Sequence, residues 1–299
     1  YVPLYLSNYC SGGCSYCGFA SDREVPRSRL ERPEMIEEMQ ALKAQGFEDV
    51  LLLTGECCPE ADFEYLLDAT ALAAEHFHNV SVEAFAMTQR EYGRLGDAGC
   101  TGITLYQETY DTRLYEKLHR WGEKKDFRYR LEAPTRALEA GLRWAGIGAL
   151  LGLSNPVSDL IALFAHAQYL MKRFWRSGVL ISFPRICEQR GDYIPEFAVD
   201  EQLLAQAIFA FRICLPDVPL VLSTREGQRF RDGIAGVGIS RMSIASRTTV
   251  GGYAHSAADP KDGQFLITDT RDVETFCAAL QAKRLEPVFK NWDRVFQNL

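Results

Sequence analysis

No apolar run in this 299-residue chain reaches the ~18 residues that a membrane-crossing helix needs, so the sequence holds no spanning segment. Basic residues are not in excess. The 33 Lys and Arg stand against 40 Asp and Glu for a net charge of −7, no Lys/Arg block stands out, and the electrostatic footprint of a nucleic-acid binder is missing. Histidine is scarce. The five histidines (His76, His78, His119, His166 and His255) begin far from the N-terminal cysteines, which therefore lack the short-spaced fourth ligand of a zinc site. A disulfide framework fits less well still: nine cysteines is an odd count spread over a long chain in which no signal peptide is read, and a reduced, cytoplasmic protein is expected. Tyr1 is not an initiator methionine and an apolar strand begins almost at once, so an N-terminal segment is expected outside this chain.

What the sequence does have is Cys10-Ser11-Gly12-Gly13-Cys14-Ser15-Tyr16-Cys17, followed by Gly18-Phe19. Three thiolates at a CxxxCxxC spacing can hold three irons of a cubane [4Fe-4S] cluster. The fourth iron then stays open to chelate a small molecule, whereas a fourth cysteine would close the cluster for electron transfer. Tyr9, the glycine pair and Tyr16 describe a turn whose backbone wraps a bulky inorganic body closely. The other thiols, Cys57, Cys58, Cys100, Cys187, Cys214 and Cys277, show no ligand spacing and read as buried or incidental.

Short apolar runs alternate with longer amphipathic stretches. Strands are expected at Val2–Ser7, Val50–Thr54, Val80–Phe85, Gly102–Tyr106, Ile147–Leu151, Val179–Ser182, Leu220–Ser223 and Val237–Ser240. Between them, Pro33–Ala44 carries Ile36, Met39 and Leu42 at helical spacing, and Asp200 caps a stretch with Leu203, Leu204, Ala207, Ile208 and Phe211 on one face. Eight β-then-α units with near-continuously apolar strands give an α/β fold, a (β/α)8 TIM-type barrel, with an open doubly wound sheet as the alternative. The barrel is expected over 1–270, and 271–299 as a C-terminal helix and tail packed on it. Catalytic groups of such a barrel sit after the C-terminal ends of strands. Those positions hold Ser7, Asn8 and the cysteine loop, Thr54-Gly55-Glu56, Gln107-Glu108, Gly152-Leu153-Ser154, Phe183-Pro184-Arg185, Thr224-Arg225, and Arg241, Ser243 and Ser246.

CxxxCxYC followed by Gly-Phe resembles the signature of radical S-adenosylmethionine (SAM) enzymes. The words Pro3–Asn8, Tyr106-Gln107-Glu108-Thr109-Tyr110, Ser182-Phe183-Pro184-Arg185, Leu222-Ser223-Thr224-Arg225-Glu226 and Gly251-Gly252-Tyr253 are similar to the aromatic amino-acid lyases of that superfamily, over essentially the whole chain. The resemblance is strongest to the tyrosine-cleaving branch of thiazole (thiamine) biosynthesis. It implies that Cys10, Cys14 and Cys17 ligate the cluster, with Tyr16 beside the cofactor, and that Thr54-Gly55-Glu56 meets the methionyl amine of SAM, Thr54 replacing the family's first glycine. It further places Arg136 on the SAM carboxylate, Glu108 near the ribose or sulfonium, and Gly146–Gly152 beside adenine. Arg225 would clamp the substrate carboxylate, with Ser243 and Tyr5 as hydrogen-bonding partners and Arg185 and Arg241 as rival cations.

The implied reaction uses one electron to split SAM; hydrogen abstraction from the tyrosine amine and Cα–Cβ cleavage then give 2-iminoacetate and p-cresol. Implied partners are an electron donor such as flavodoxin or ferredoxin and a thiazole synthase subunit, with no nucleic acid and no membrane. Two relatives compete. The hydrogenase-maturation tyrosine lyase carries a C-terminal extension with further cysteines, and none follows Cys277 here. A tryptophan lyase forming 3-methyl-2-indolic acid shares barrel and clamp, and the stretch from Gly146 through Arg185 and the ending Phe289-Lys290-Asn291-Trp292-Asp293 favour tyrosine. A non-enzymatic cluster carrier would need a fourth cluster ligand.

Overall fold

The computed structural model describes residues 1–189, 191, 193–254 and 259–289. Val50-Leu51-Leu52-Leu53 is buried throughout, as a parallel strand covered on both faces requires, and it forms β2 (Asp49–Leu53). Around it lie β1 (Val2–Tyr5), β3 (Asn79–Glu83), β4 (Cys100–Thr104), β5 (Trp144–Gly148), β6 (Gly178–Ser182), β7 (Leu220–Leu222) and β8 (Arg241–Met242). All neighbours pair in parallel in chain order. The last strand returns to the first, because the Tyr1 amino group donates to the Met242 carbonyl (3.4 Å) and the Ile244 amide to the Tyr1 carbonyl (3.2 Å). The expected barrel is the fold.

Helices α1 (Arg32–Ala44), α2 (Phe63–His76), α3 (Gln89–Asp97), α4 (Thr112–Leu118), α5 (Phe127–Leu131), α6 (Ala133–Glu139), α7 (Pro156–Arg173), α8 (Glu201–Cys214) and α9 (Gln228–Ile234) cover the sheet. Asp62, Asp111, Asp126 and Asp200 accept first-turn amides at the starts of α2, α4, α5 and α8; a cap of this kind is worth roughly 1 kcal/mol. The Gly251-Gly252-Tyr253 word is fixed from below: the buried carboxylate of Glu38 on α1 accepts the amides of Gly252, Tyr253 and Ala254 at 2.7–3.2 Å. After β8, α10 (Val273–Ala282) buries Phe276, and Phe289 meets Phe47 edge-on at 5.7 Å. The Lys290–Asp293 part of the ending lies outside the described residues. Among the described residues no helix is long and apolar enough to cross a membrane.

Two strands differ from expectation. Val237–Ser240 is not the eighth strand: Val237 is exposed in a turn and β8 starts at Arg241. A charged first residue hides this strand from any search for apolar runs. Arg241 is tolerated because both oxygens of Asp49 accept from it, at 2.8 and 2.7 Å, and because Tyr1 and Trp144 flank its guanidinium. The fifth strand begins at Trp144 and ends at Gly148, before the expected Ala149-Leu150-Leu151. Those residues are buried at the rim instead, where Leu150 and Leu151 donate their amides to Glu108 and Pro184.

Candidate active site

The loop after β1 carries the three thiols, and backbone amides converge on two of them. Gly12 and Glu56 donate to Cys10 Sγ at 3.3 Å each, and Phe19 donates to Cys17 Sγ at 3.4 Å. Gly55 lets the end of β2 come this close, since a Cβ there would stand 2.4 Å from the Tyr9 carbonyl oxygen and 2.6 Å from Cys10 Cβ. At Gly13 the missing side chain leaves room for the Trp121 indole, 2.4 Å from where its Cβ would be. The segment after α4 also pairs with the loop: Ser15 donates to the Leu118 carbonyl, Gly13 to the Trp121 carbonyl, and Cys14 bridges His119. His119 Nδ1 lies 2.8 Å from the Tyr115 carbonyl, which fixes its proton there, and Nε2 accepts from the Tyr16 hydroxyl at 2.7 Å. Burial lowers this imidazole to about 2, so it stays neutral. Arg27 closes the far side of the loop by donating to the carbonyls of Asn8, Phe19 and Ala20 at 2.5–2.9 Å.

Beside the thiols lies a buried group of charges. Arg130, on α5, donates to Glu56 Oε1 at 3.0 Å and to the Tyr106 carbonyl at 2.8 Å, and reaches Glu108 Oε1 at 3.6 Å. Lys124 Nζ donates to the same Glu108 oxygen at 2.7 Å. Glu108 itself adopts φ +69°, a left-handed conformation uncommon outside glycine that marks a constrained position at the end of β4. Arg136 is not part of this group. Its guanidinium is engaged by the carbonyls of Met87 (2.8 Å) and Tyr129 (2.7 Å) in a groove between α6 and α7, whereas Arg130 is the arginine paired with Glu56 beside the thiol loop. Arg130 and Lys124 escaped the sequence reading because each sits on a helical segment that reads as an ordinary solvated face.

A cavity opens inside the barrel next to this group, lined by Tyr1, Tyr5, Glu83, Tyr106, Arg225 and Ser243 among others. Arg225 lies over the Phe265 ring at 3.4 Å and donates to the Arg185 carbonyl at 3.3 Å, but it has no carboxylate partner among the described residues. Arg185 and Arg241 both have carboxylate partners. Arg185 is held by the buried Glu226 and by the Val199 carbonyl, and Arg241 is spent on Asp49 at the opposite end of the barrel. Ser243 Oγ accepts from the Thr224 amide at 3.3 Å, while the buried Arg231, paired with Asp269, donates to the Ser243 carbonyl and fixes that turn. The Tyr5 hydroxyl donates to Gln264 Oε1 at 2.8 Å, and Gln264 Nε2 lies 3.8 Å from Cys17 Sγ. Glu83, at the end of β3, also lines the cavity, and the sequence does not single it out because one acid closing an apolar run looks like an ordinary solvated strand end.

A family model described as the Radical SAM superfamily matches residues 4–163, and one described as the Biotin and Thiamin Synthesis associated domain matches 182–286. The 2-iminoacetate synthase of Escherichia coli (strain K12) is 39% identical over 98% of this chain and 78% of its own length. The chain belongs to the 2-iminoacetate synthase family of radical SAM enzymes. The enzyme of that name from Salmonella typhimurium is 38% identical over the same shares. Among solved structures, HydG, a maturase of the [FeFe]-hydrogenase, superposes with a TM-score of 0.91 at 30% identity, covering 97% of this chain, which spans 64% of the length of HydG. Members of this family are lyases that use a [4Fe-4S] cluster and SAM.

The residues present fit that cluster. Among the described residues no group of His, Cys, Asp and Glu could hold a single metal ion, whereas the three thiols share one loop and lie near enough to feel one another's charge. Burial pushes Cys10 up to about 11 and Cys14 up to about 12, so both are neutral until a cationic body draws off their protons. The amides aimed at Cys10 and Cys17 are donors that a cluster thiolate accepts.

Proposed function

We propose that this enzyme cleaves the Cα–Cβ bond of L-tyrosine to 2-iminoacetate and p-cresol, a step of thiazole (thiamine) biosynthesis. The observation that carries the proposal is the 39% identity to a 2-iminoacetate synthase along nearly the whole chain, joined to a cavity lined by Arg225, a guanidinium with no carboxylate partner among the described residues. Cys10, Cys14 and Cys17 hold the cluster. Bound together, cluster and SAM supply the 5′-deoxyadenosyl radical that starts the reaction. Thr54-Gly55-Glu56 approaches the methionyl amine, and Arg130 takes the place expected of Arg136 at the methionyl carboxylate, with Glu108 and Lys124 completing the rim. Arg225 receives the substrate carboxylate in fork geometry, and Ser243 and Tyr5 orient its backbone. The barrel wall excludes water, which protects reactive species and strengthens each of these contacts. Flavodoxin or ferredoxin serves as electron donor, and thiazole synthase receives the product.

Anaerobically reconstituted protein with SAM and reductant should convert tyrosine to p-cresol with stoichiometric 5′-deoxyadenosine. Run beside it, tryptophan should give little product, and preferential turnover of tryptophan overturns the substrate assignment.

A further inference from the structure

We propose that Glu83 receives the α-ammonium group of the substrate and takes one proton from it, so that an ammonium N–H bond breaks, a carboxyl O–H bond forms and the amine stands neutral. This assignment rests on the amino-acid lyase reading above. Two carboxylates line the cavity, Glu226 and Glu83. Glu226 is bound by Arg185, but the carboxylate of Glu83 has no hydrogen bond or ion pair among the described residues. Glu83 is half-buried in the cavity wall, and a carboxylate drawn away from bulk water without a partner is costly, so that its retention calls for a ligand that supplies one. The cavity also holds Arg225, which has no carboxylate partner among the described residues. One free cation and one free anion facing a single space complement a zwitterion.

The position of Glu83 selects the amine end over the phenol end. It pairs with Leu53 on β2, which pairs with Tyr5 on β1, so the three form one layer at the mouth of the barrel. The loops after β1 and β2 carry the cysteines and Thr54-Gly55-Glu56. The charges that act on Glu83 are Glu108, Arg225, Lys124 and Arg130; Glu108, Lys124 and Arg130 belong to the group beside the thiols. Tyr1, Tyr5 and Tyr106 also feel it. A substrate whose carboxylate sits on Arg225 therefore finds Glu83 on the side facing the cofactor, where its amine must be. Burial and Glu108 push the carboxyl up to about 7, against the pull of the three cations, so that it accepts a proton near neutrality.

Binding to the holoenzyme with SAM but without reductant, followed by calorimetry, tests this without turnover. Glu83→Gln should weaken L-tyrosine at least ~10-fold, a loss typical of a charge-assisted hydrogen bond. It should weaken phenylalanine by the same factor and leave 3-(4-hydroxyphenyl)propionate, which lacks the amine, unchanged or tighter. Glu83→Asp should restore part of the tyrosine affinity, and unchanged SAM affinity in both variants shows an intact site. Equal losses for tyrosine and the amine-free acid overturn the proposal, as does a loss for tyrosine that spares phenylalanine, or no loss at all. Wild-type enzyme that prefers tryptophan overturns the tyrosine reading alone, and the same variant is then judged on tryptophan against 3-indolepropionate.

Discussion

The bottom of the barrel and the cavity inside its mouth treat charge in opposite ways. At the bottom, Asp49 on β2 and Arg241 on β8 are matched to each other across β1, the strand that closes the barrel against β8. Inside the mouth, Arg225 and Glu83 share a cavity and neither has an ion-pair partner among the described residues. A matched pair fixes the fold, because removing one member strands the other away from water. An unmatched charge is a standing cost that a ligand of opposite sign can relieve. The bottom therefore encodes closure and the mouth encodes recognition.

Variants can break this contrast. The largest effect is expected for Cys14→Ala, which should abolish 5′-deoxyadenosine formation, a drop of at least ~10³-fold, with iron content and electron paramagnetic resonance showing cluster loss. Arg225→Ala should weaken tyrosine about 100-fold, the order expected when a buried carboxylate loses its cation, while SAM affinity and melting temperature hold steady. Asp49→Asn should do the reverse: roughly 3 kcal/mol of stability lost in denaturant titrations, because Arg241 is left buried and unpaired, with tyrosine affinity unchanged. Should Asp49→Asn alter tyrosine binding and Arg225→Ala alter stability, the division between the ends is wrong.

Smaller effects should appear in the pH dependence of stability. His119 stays neutral in the fold down to about 2 but takes a proton near its ordinary value of 6.5 once unfolded. Its contribution to stability is thus lost as pH falls below 6.5, by up to ~1.4 kcal/mol per unit, and His119→Gln should flatten the acid limb of the melting curve. Glu83 acts with the opposite sign. With its folded value raised to about 7, stability is full below its ordinary value of 4.5 and declines as pH rises through 7, so Glu83→Gln should raise the melting temperature most at pH 8.

How far the sequence could be read depended on how local each signal was. The cysteine spacing and the glycines around it are set within one loop, and six of the eight strands were readable from continuous apolar runs. β8 was not, because its first residue is an arginine whose neutralising partner lies 192 positions away. Arg130 was not legible for a related reason: like Arg136 it follows α4 on a helical segment, and only the folded chain shows that Arg130 reaches Glu56 while Arg136 is held by the Met87 and Tyr129 carbonyls.

The amino-acid sequence by itself determined the barrel, the thiol loop and its capacity for an iron–sulfur cluster, since periodicity and short spacing survive without knowledge of distant contacts. Only the tertiary structure decided which charges are free. Whether Arg185, Arg225 or Arg241 is available to a ligand depends on Glu226 and Asp49, and whether Glu83 has a partner depends on the opposite wall of the cavity. Electrostatic matching is settled across space, between residues far apart in the chain.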